Sequence, residues 1–301
     1  MADSSIIATA PLGMHWPTLD PFLFCAYHKD AYPRGNNNMG VPREQLAGRD
    51  IGMDFSQKDG WSMYHGDEVP GFPRHPHRGF ETVTLARQGF IDHSDSLGAT
   101  ARFGEGDVQW MTAGRGIVHS EMFPLLQSER DNPAELFQIW LNLPAAKKMV
   151  APHFSMLWSG AIPRIQPAHS AGVELVMVAG MLDGAVPPAP PPDSWASDPR
   201  SELRIWTLKL ESVARWRLPS SASALSRVLY FFSGGELCLA GQTVSAGHAI
   251  QLAPDAEVTI ENDGEAAELL LLPVTEPVTP PVFALGNISV LSVSPTAARM
   301  T

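Results

Sequence analysis

Short runs in which apolar and polar positions alternate dominate the chain. Phe80-Glu81-Thr82-Val83-Thr84-Leu85 alternates and is rich in β-branched residues, and Asp107-Val108-Gln109-Trp110-Met111 follows a Gly-Glu-Gly turn. Residues 136–143 read Leu-Phe-Gln-Ile-Trp-Leu-Asn-Leu, long and apolar enough for a central strand. Further strands are expected at 173–179, 203–210, 228–232 and 267–273. The sequence holds 27 prolines and 25 glycines, which punctuate it into short strands and turns and not into long helices. Helical expectations are confined to about one turn at 145–149, after Pro144, and another at 221–226. Short strands at this spacing predict an all-β protein, a sandwich or a barrel.

The chain has 301 residues, enough for one large or two modest domains with real cores. Pro144 and Pro152 bracket the natural boundary, so the expected domains are 1–148 and 149–301. A weak internal echo supports two related halves. Phe103-Gly104-Glu105-Gly106-Asp107-Val108 places a Gly turn between two strands, and Val244-Ser245-Ala246-Gly247-His248-Ala249-Ile250 repeats the arrangement. Pro187-Pro188-Ala189-Pro190-Pro191-Pro192 reads as a stiff polyproline-type connector. Residues 28–70 read as one long irregular segment, either a lid or partner surface or a decorative insertion.

Charge and cysteines narrow the function classes. Formal net charge is -11, which disfavours direct binding to a phosphate backbone. Cys25 and Cys238 are the two cysteines, and they form no metal-type spacing. A disulfide framework is not expected, and a reducing compartment is the simpler setting. The opening MADSSIIATAPLGMHW lacks a basic n-region, and no apolar run approaches the roughly 18 residues of a spanning helix. The expectation is a cytoplasmic protein, or a nuclear one in a eukaryote, with no membrane contact.

Among ten histidines, two pairs stand out: His75 with His77, and His119 with Glu121. Residues i and i+2 of a strand share a face, about 6.6 Å apart. Two neighbouring strands carrying such pairs can aim four ligands at one point, each at about 2.0–2.2 Å from a first-row metal. Pro76 removes a ladder donor, so that strand should be an edge or a bulge. Gly114 and Gly116 allow a close backbone approach ahead of His119. Glu81 shares the counted parity of His75 and His77, so spacing alone leaves Glu81 and Glu121 as rival carboxylates. Phe80, Trp110 and Met111 are candidates for an apolar wall, and His93 for a group in or beside the pocket. His153, His169 and His248 have no ligand-spaced companion, so no second metal site is expected in the C-terminal half.

These residues resemble a known family. His-Pro-His-Arg-Gly-Phe-Glu-Thr-Val-Thr at 75–84, His-Ser-Asp-Ser-Leu-Gly at 93–98 and Gly-Asp-Val-Gln-Trp-Met-Thr-Ala-Gly-Arg-Gly-Ile-Val-His-Ser-Glu-Met at 106–122 resemble the pirin family, as do Leu-Asp-Pro-Phe-Leu at 19–23 and Trp-Leu-Asn-Leu-Pro-Ala at 140–145. The resemblance is specific over 19–155 and diffuse beyond. It implies a bicupin, two stacked cupin (jelly-roll-like) β-barrel domains. It also implies one metal ion in the N-terminal domain, held by His75, His77, His119 and Glu121, and thereby favours Glu121 over Glu81. The metal the resemblance implies is iron, with Mn, Ni, Cu or Zn left open by the residues. The sequence departs from the family at Phe24-Cys25-Ala26-Tyr27-His28, over 28–70, and at Ala134-Glu135, so access to the site and the substrate class are the carry-overs most affected.

Three imidazoles and one carboxylate suit Fe(II), Mn(II), Ni(II) or Cu(II) and leave positions open for chemistry, whereas a closed four-ligand zinc site would be structural. The resemblance implies an Fe(II)-dependent dioxygenase acting on quercetin or a similar flavonol or enediol, with Glu121 as general base. The alternative it carries is an iron-dependent redox-sensing regulatory protein that binds a protein partner.

Overall fold

The computed structural model describes residues 5–221 and 225–275. The strands of the first half are β1 (Ile6–Pro11), β2 (Phe22–Tyr32), β3 (Gly71–His77), β4 (Phe80–Gln88), β5 (Phe90–Asp95), β6 (Thr100–Gly104), β7 (Val108–Thr112), β8 (Ile117–Met122), β9 (Asn132–Asn142) and β10 (His153–Leu157). Those of the second are β11 (Arg164–Ile165), β12 (Val173–Ala179), β13 (Ile205–Leu210), β14 (Ala214–Leu218), β15 (Leu225–Ser233), β16 (Glu236–Leu239), β17 (Gln242–Ser245), β18 (His248–Leu252), β19 (Val258–Asn262) and β20 (Ala267–Thr275). The expected strands are present, and Val173–Ala179 has the expected bounds. The echo is real: β6 and β7, like β17 and β18, flank a Gly turn. The turn after Pro144 is a short 3-10 helix, Ala145–Lys147. Of the helical turn expected at 221–226, residues 222–224 lie outside the described residues, and Leu225 opens β15.

The strands form four sheets, ordered β3-β8-β5-β6, β10-β7-β4-β9-β2, β1-β18-β15-β20-β13-β12-β11 and β14-β19-β16-β17. The expectation of two stacked cupin β-barrel domains is corrected here: among the described residues every sheet is open, and none closes into a barrel. β3 shows a physical reason. It is an edge strand carrying Pro73 and Pro76, which have no N–H to offer a further strand, and its register slips between Phe72 and His75.

The sheets stack in four layers, with hydrophobic clusters packed between them. Val83, Leu85, Val108, Trp110, Phe137 and Ile139 of the five-stranded sheet meet Val176, Val178, Ile205, Tyr230 and Leu270 of the seven-stranded sheet. The other face of the seven-stranded sheet packs Met177, Trp206, Leu229, Phe231 and Leu271 against Trp216, Leu239 and Ile260. Both faces of β20 are therefore buried over its four leucines, 269–272, which is why that stretch reads as an unbroken apolar run and does not alternate. Two strands cross the expected 148/149 division: β1 joins the seven-stranded sheet, and β10 joins the five-stranded one. Arg87 adds a charged tie between the halves, bonded to Glu135 of β9 and Glu268 of β20.

The segment expected to be irregular from 28 to 70 begins as strand, since β2 runs to Tyr32. Residues 33–70 then form a packed cap. Trp61, Met63 and Tyr64 are buried against Ile91, Phe103 and Phe123. The fully buried Arg49 side chain bonds Asp54 at 2.9 Å, and its guanidinium lies 3.2 Å from the Trp61 ring centroid.

Candidate metal centre

β3 and β8 run antiparallel with His75 opposite His119 and Phe72 opposite Glu121. Strand parity puts His75 and His77 on one face and His119 and Glu121 on one face, both turned toward the five-stranded sheet. The Nε2 atoms of His75 and His77 are 3.1 Å apart. The His119 ring centroid lies 4.4 Å from that of His75 and 4.8 Å from that of His77. One ring nitrogen from each of the three falls within 4.8 Å of the other two. Ahead of β8 the backbone is crowded: a Cβ on Gly114, which has a positive φ, would collide with the Val150 carbonyl.

Hydrogen bonds decide which nitrogens are free. His75 Nδ1 donates to the Pro73 carbonyl at 2.8 Å, leaving the Nε2 lone pair available. His119 Nε2 is buried and has no hydrogen-bond partner among the described residues. Burial, and then the positive charge that its histidine neighbours would carry, lower the pKa of His77 and of His119 to about 3. Both rings are therefore neutral at physiological pH. An unpartnered buried acceptor is costly unless something occupies the space it faces. Neutral imidazole nitrogens gathered around one such atom fit a divalent first-row ion.

Glu121 reaches between the sheets. Its Oε1 accepts from Thr84 Oγ1 at 3.0 Å and Gln109 Nε2 at 3.2 Å, and its Oε2 from Gln138 Nε2 at 2.8 Å. It forms a second close group with His93 and His119, and not with His75 and His77. His119 is shared, so the two groups adjoin.

Glu81 belongs elsewhere. β3 ends at His77, and Gly79 turns the chain with φ +78 into β4 of the other sheet, so counting parity from His77 to Glu81 fails. The Glu81 carboxyl faces the core between the halves, where Thr112 Oγ1 and Ser194 Oγ each donate to it at 2.7 Å. Burial pushes its pKa up to about 7 against the effect of those donors.

Phe80 borders the site, 5.0 Å from the His77 ring and 4.8 Å from Trp140. Met111 packs with Ala113 and Ile117. Trp110 does not line the site, because its strand position faces the core between the halves. Sequence reading missed Trp140, Phe154, Asp95 and the three donors to Glu121. A signal for the donors was present: Thr84, Gln109 and Gln138 are polar residues in strands whose alternate positions, Val83, Trp110 and Ile139, are apolar and face the other way.

Stacked antiparallel sheets holding a close histidine cluster place the chain in the cupin superfamily. The pirin family matches residues 8–141. Pirin-1 of Arabidopsis thaliana is 38% identical over 217 residues, 72% of this chain and 70% of that protein. This chain belongs to the pirin family. A Pseudomonas aeruginosa protein provisionally named a quercetin 2,3-dioxygenase is 33% identical over 226 residues, 70% of this chain and 72% of its own length. In fold, the chain is similar to a quercetin 2,3-dioxygenase of Acinetobacter baumannii, with a TM-score of 0.72, 22% identity, and 94% of this chain and 90% of that one covered.

Proposed function

We propose that this chain binds one divalent metal ion, Fe(II), through His75, His77, His119 and Glu121, and acts as a dioxygenase on quercetin or a similar flavonol. The observation that carries the reading is the gathering of one ring nitrogen each from His75, His77 and His119 within 4.8 Å of one another, with His119 Nε2 buried and unpartnered among the described residues. The provisional name of the P. aeruginosa relative supplies the substrate class.

A bound iron supplies Lewis acidity and electron exchange with dioxygen. The remaining roles fall to the chain. Glu121, held by three donors, is the group placed to receive the hydroxyl proton of the substrate. Phe80 and Trp140, with Phe24 tilted against Trp140 at 4.7 Å, offer an apolar wall for an aromatic ring.

The test is to strip the protein, reload it anaerobically with Fe(II), and add quercetin and oxygen. Loss of the flavonol absorbance with matching oxygen uptake is expected. No cleavage with Fe(II), Mn(II), Ni(II) or Cu(II) would sink the flavonol assignment. Elemental analysis should find the metal lost in His75→Ala and His119→Ala. If Glu121→Gln keeps full metal while Glu81→Gln loses it, the carboxylate assignment is wrong.

A further inference from the structure

We infer that Asp95 and His93 are positioning residues: together they fix the tautomer of His119 so that Nε2, and not Nδ1, is the atom offered to the metal. The inference rests on the metal-binding reading above and adds to it the origin of the orientation of His119.

The chain of bonds starts at a rigid turn. Asp95 Oδ1 accepts from the backbone N–H groups of Leu97 at 2.8 Å and Ala99 at 3.1 Å, which fixes the carboxylate in place. Its other oxygen, Oδ2, lies 3.0 Å from His93 Nε2, and both side chains are fully buried. A carboxylate oxygen accepts, so His93 carries its proton on Nε2. His93 Nδ1 is then an acceptor. It faces His119 Nδ1 at 3.5 Å, so the proton of that contact belongs to His119. With Nδ1 protonated, the lone pair of neutral His119 sits on Nε2, the buried atom that no protein group satisfies.

The plane of His93 is fixed as well. Its ring stacks on Phe154 of β10, with centroids 4.5 Å apart and planes 21° from parallel. β5 and β8 are paired neighbours, with Asp95 opposite His119 and His93 opposite Glu121. The relay thus crosses one strand pair and needs no mobile segment. His93 also adjoins Glu121 and His119 closely enough to be read as a ligand itself. The direction of its bond to Asp95 argues against that, because the lone pair of His93 Nδ1 is used by His119.

Asp95→Asn is nearly isosteric and can keep its carbonyl on the Leu97 and Ala99 amides. Its NH₂ would then face His93 Nε2, reverse both hydrogen bonds and place a proton on His119 Nε2. His93→Gln can still accept from His119 Nδ1 through its amide oxygen and serves as the conservative variant, whereas His93→Phe cannot. Circular dichroism and thermal melts establish that each variant is folded. The measurements are histidine ¹⁵N NMR of the metal-free protein, which reads the tautomer, and Co(II) titration at fixed pH, which reads affinity. The wild type should show His119 protonated on Nδ1. Asp95→Asn should move that proton to Nε2 and weaken Co(II) binding about 10- to 100-fold. His93→Phe should weaken binding similarly, and His93→Gln should recover most of it. A wild-type His119 protonated on Nε2 overturns the inference. So does Asp95→Asn with an unchanged tautomer or an affinity within twofold of wild type, and so does His93→Gln binding as weakly as His93→Phe, which would make His93 a ligand. A wild type that takes up no cobalt sinks the metal-site reading and this inference with it. A wild type that binds cobalt beside an unaffected Asp95→Asn sinks the inference alone.

Discussion

Glu81→Gln should make the protein more stable in a way that depends on pH. Burial raises the carboxyl from 4.5 to about 7 in the folded state. A carboxyl whose folded pKa lies above its unfolded value binds more protons when folded. Stability from this group is therefore fully present below about pH 4.5, falls as the pH rises from there to about 7, and is flat beyond. At roughly 1.4 kcal/mol per pH unit, the ionised form at pH 8 costs about 3 kcal/mol. Glutamine removes that cost without leaving a hole, because the Thr112 and Ser194 hydroxyls that now donate to the carboxylate can rotate to accept from an amide. Urea unfolding of both proteins between pH 5 and pH 8 is the assay, and the quantity to follow is the difference between the two. That difference should grow with pH, approaching about 3 kcal/mol in favour of glutamine at pH 8. A constant offset at every pH, or a difference that shrinks as pH rises, would refute the placement of Glu81 as a buried acid between the halves.

Two further changes probe the packing that frames the site. Arg49→Ala removes a fully buried cation from Asp54 and from the Trp61 face, and should cost about 3 kcal/mol. Hydrogen exchange should quicken first at Ser62 and Met63, whose amides bond Asp30 and Asp54, and an unchanged rate there would show that the cap holds without the arginine. Trp16→Ala deletes a ring stacked 5.2 Å from Tyr230 and edge-on to Phe137 at 5.5 Å, at the junction of the halves. It should cost about 4 kcal/mol in chemical denaturation, and a loss below 1 kcal/mol would mean that the halves dock without it.

Much of the strand content was legible because it is written in local alternation. Val173–Ala179 and the core of β4 needed nothing beyond the run itself. The echo of two halves also survived, since a Gly turn between two strands is a local signal. Sheet closure was not legible. Whether β3 pairs on one side or two depends on partners far away in sequence, and only the prolines on it hinted that it stays an edge. The crossing of β1 and β10 into the opposite sheets was hidden for the same reason. The cap at 33–70 looked like an insertion because its order comes from one buried arginine and a few aromatic anchors, which have no period.

The rival carboxylates show where pattern reasoning stops. Counting by two works only within a strand, and the break at Arg78 and Gly79 lies between His77 and Glu81. After that turn the chain enters another sheet, where residue 81 faces Ser194 of the second half and Thr84 faces Glu121. Glu121 needed no such jump, being two residues from His119 on one uninterrupted strand. The two acids also differ in what surrounds them. Glu121 has three neutral donors and adjoins the histidines, whereas burial dominates the environment of Glu81 and favours its protonated form. One carboxylate is held by donors beside the histidine cluster, and the other is buried in the core between the halves. The pH-dependent difference expected of Glu81→Gln and the metal content of Glu121→Gln therefore examine the same partition from its two sides.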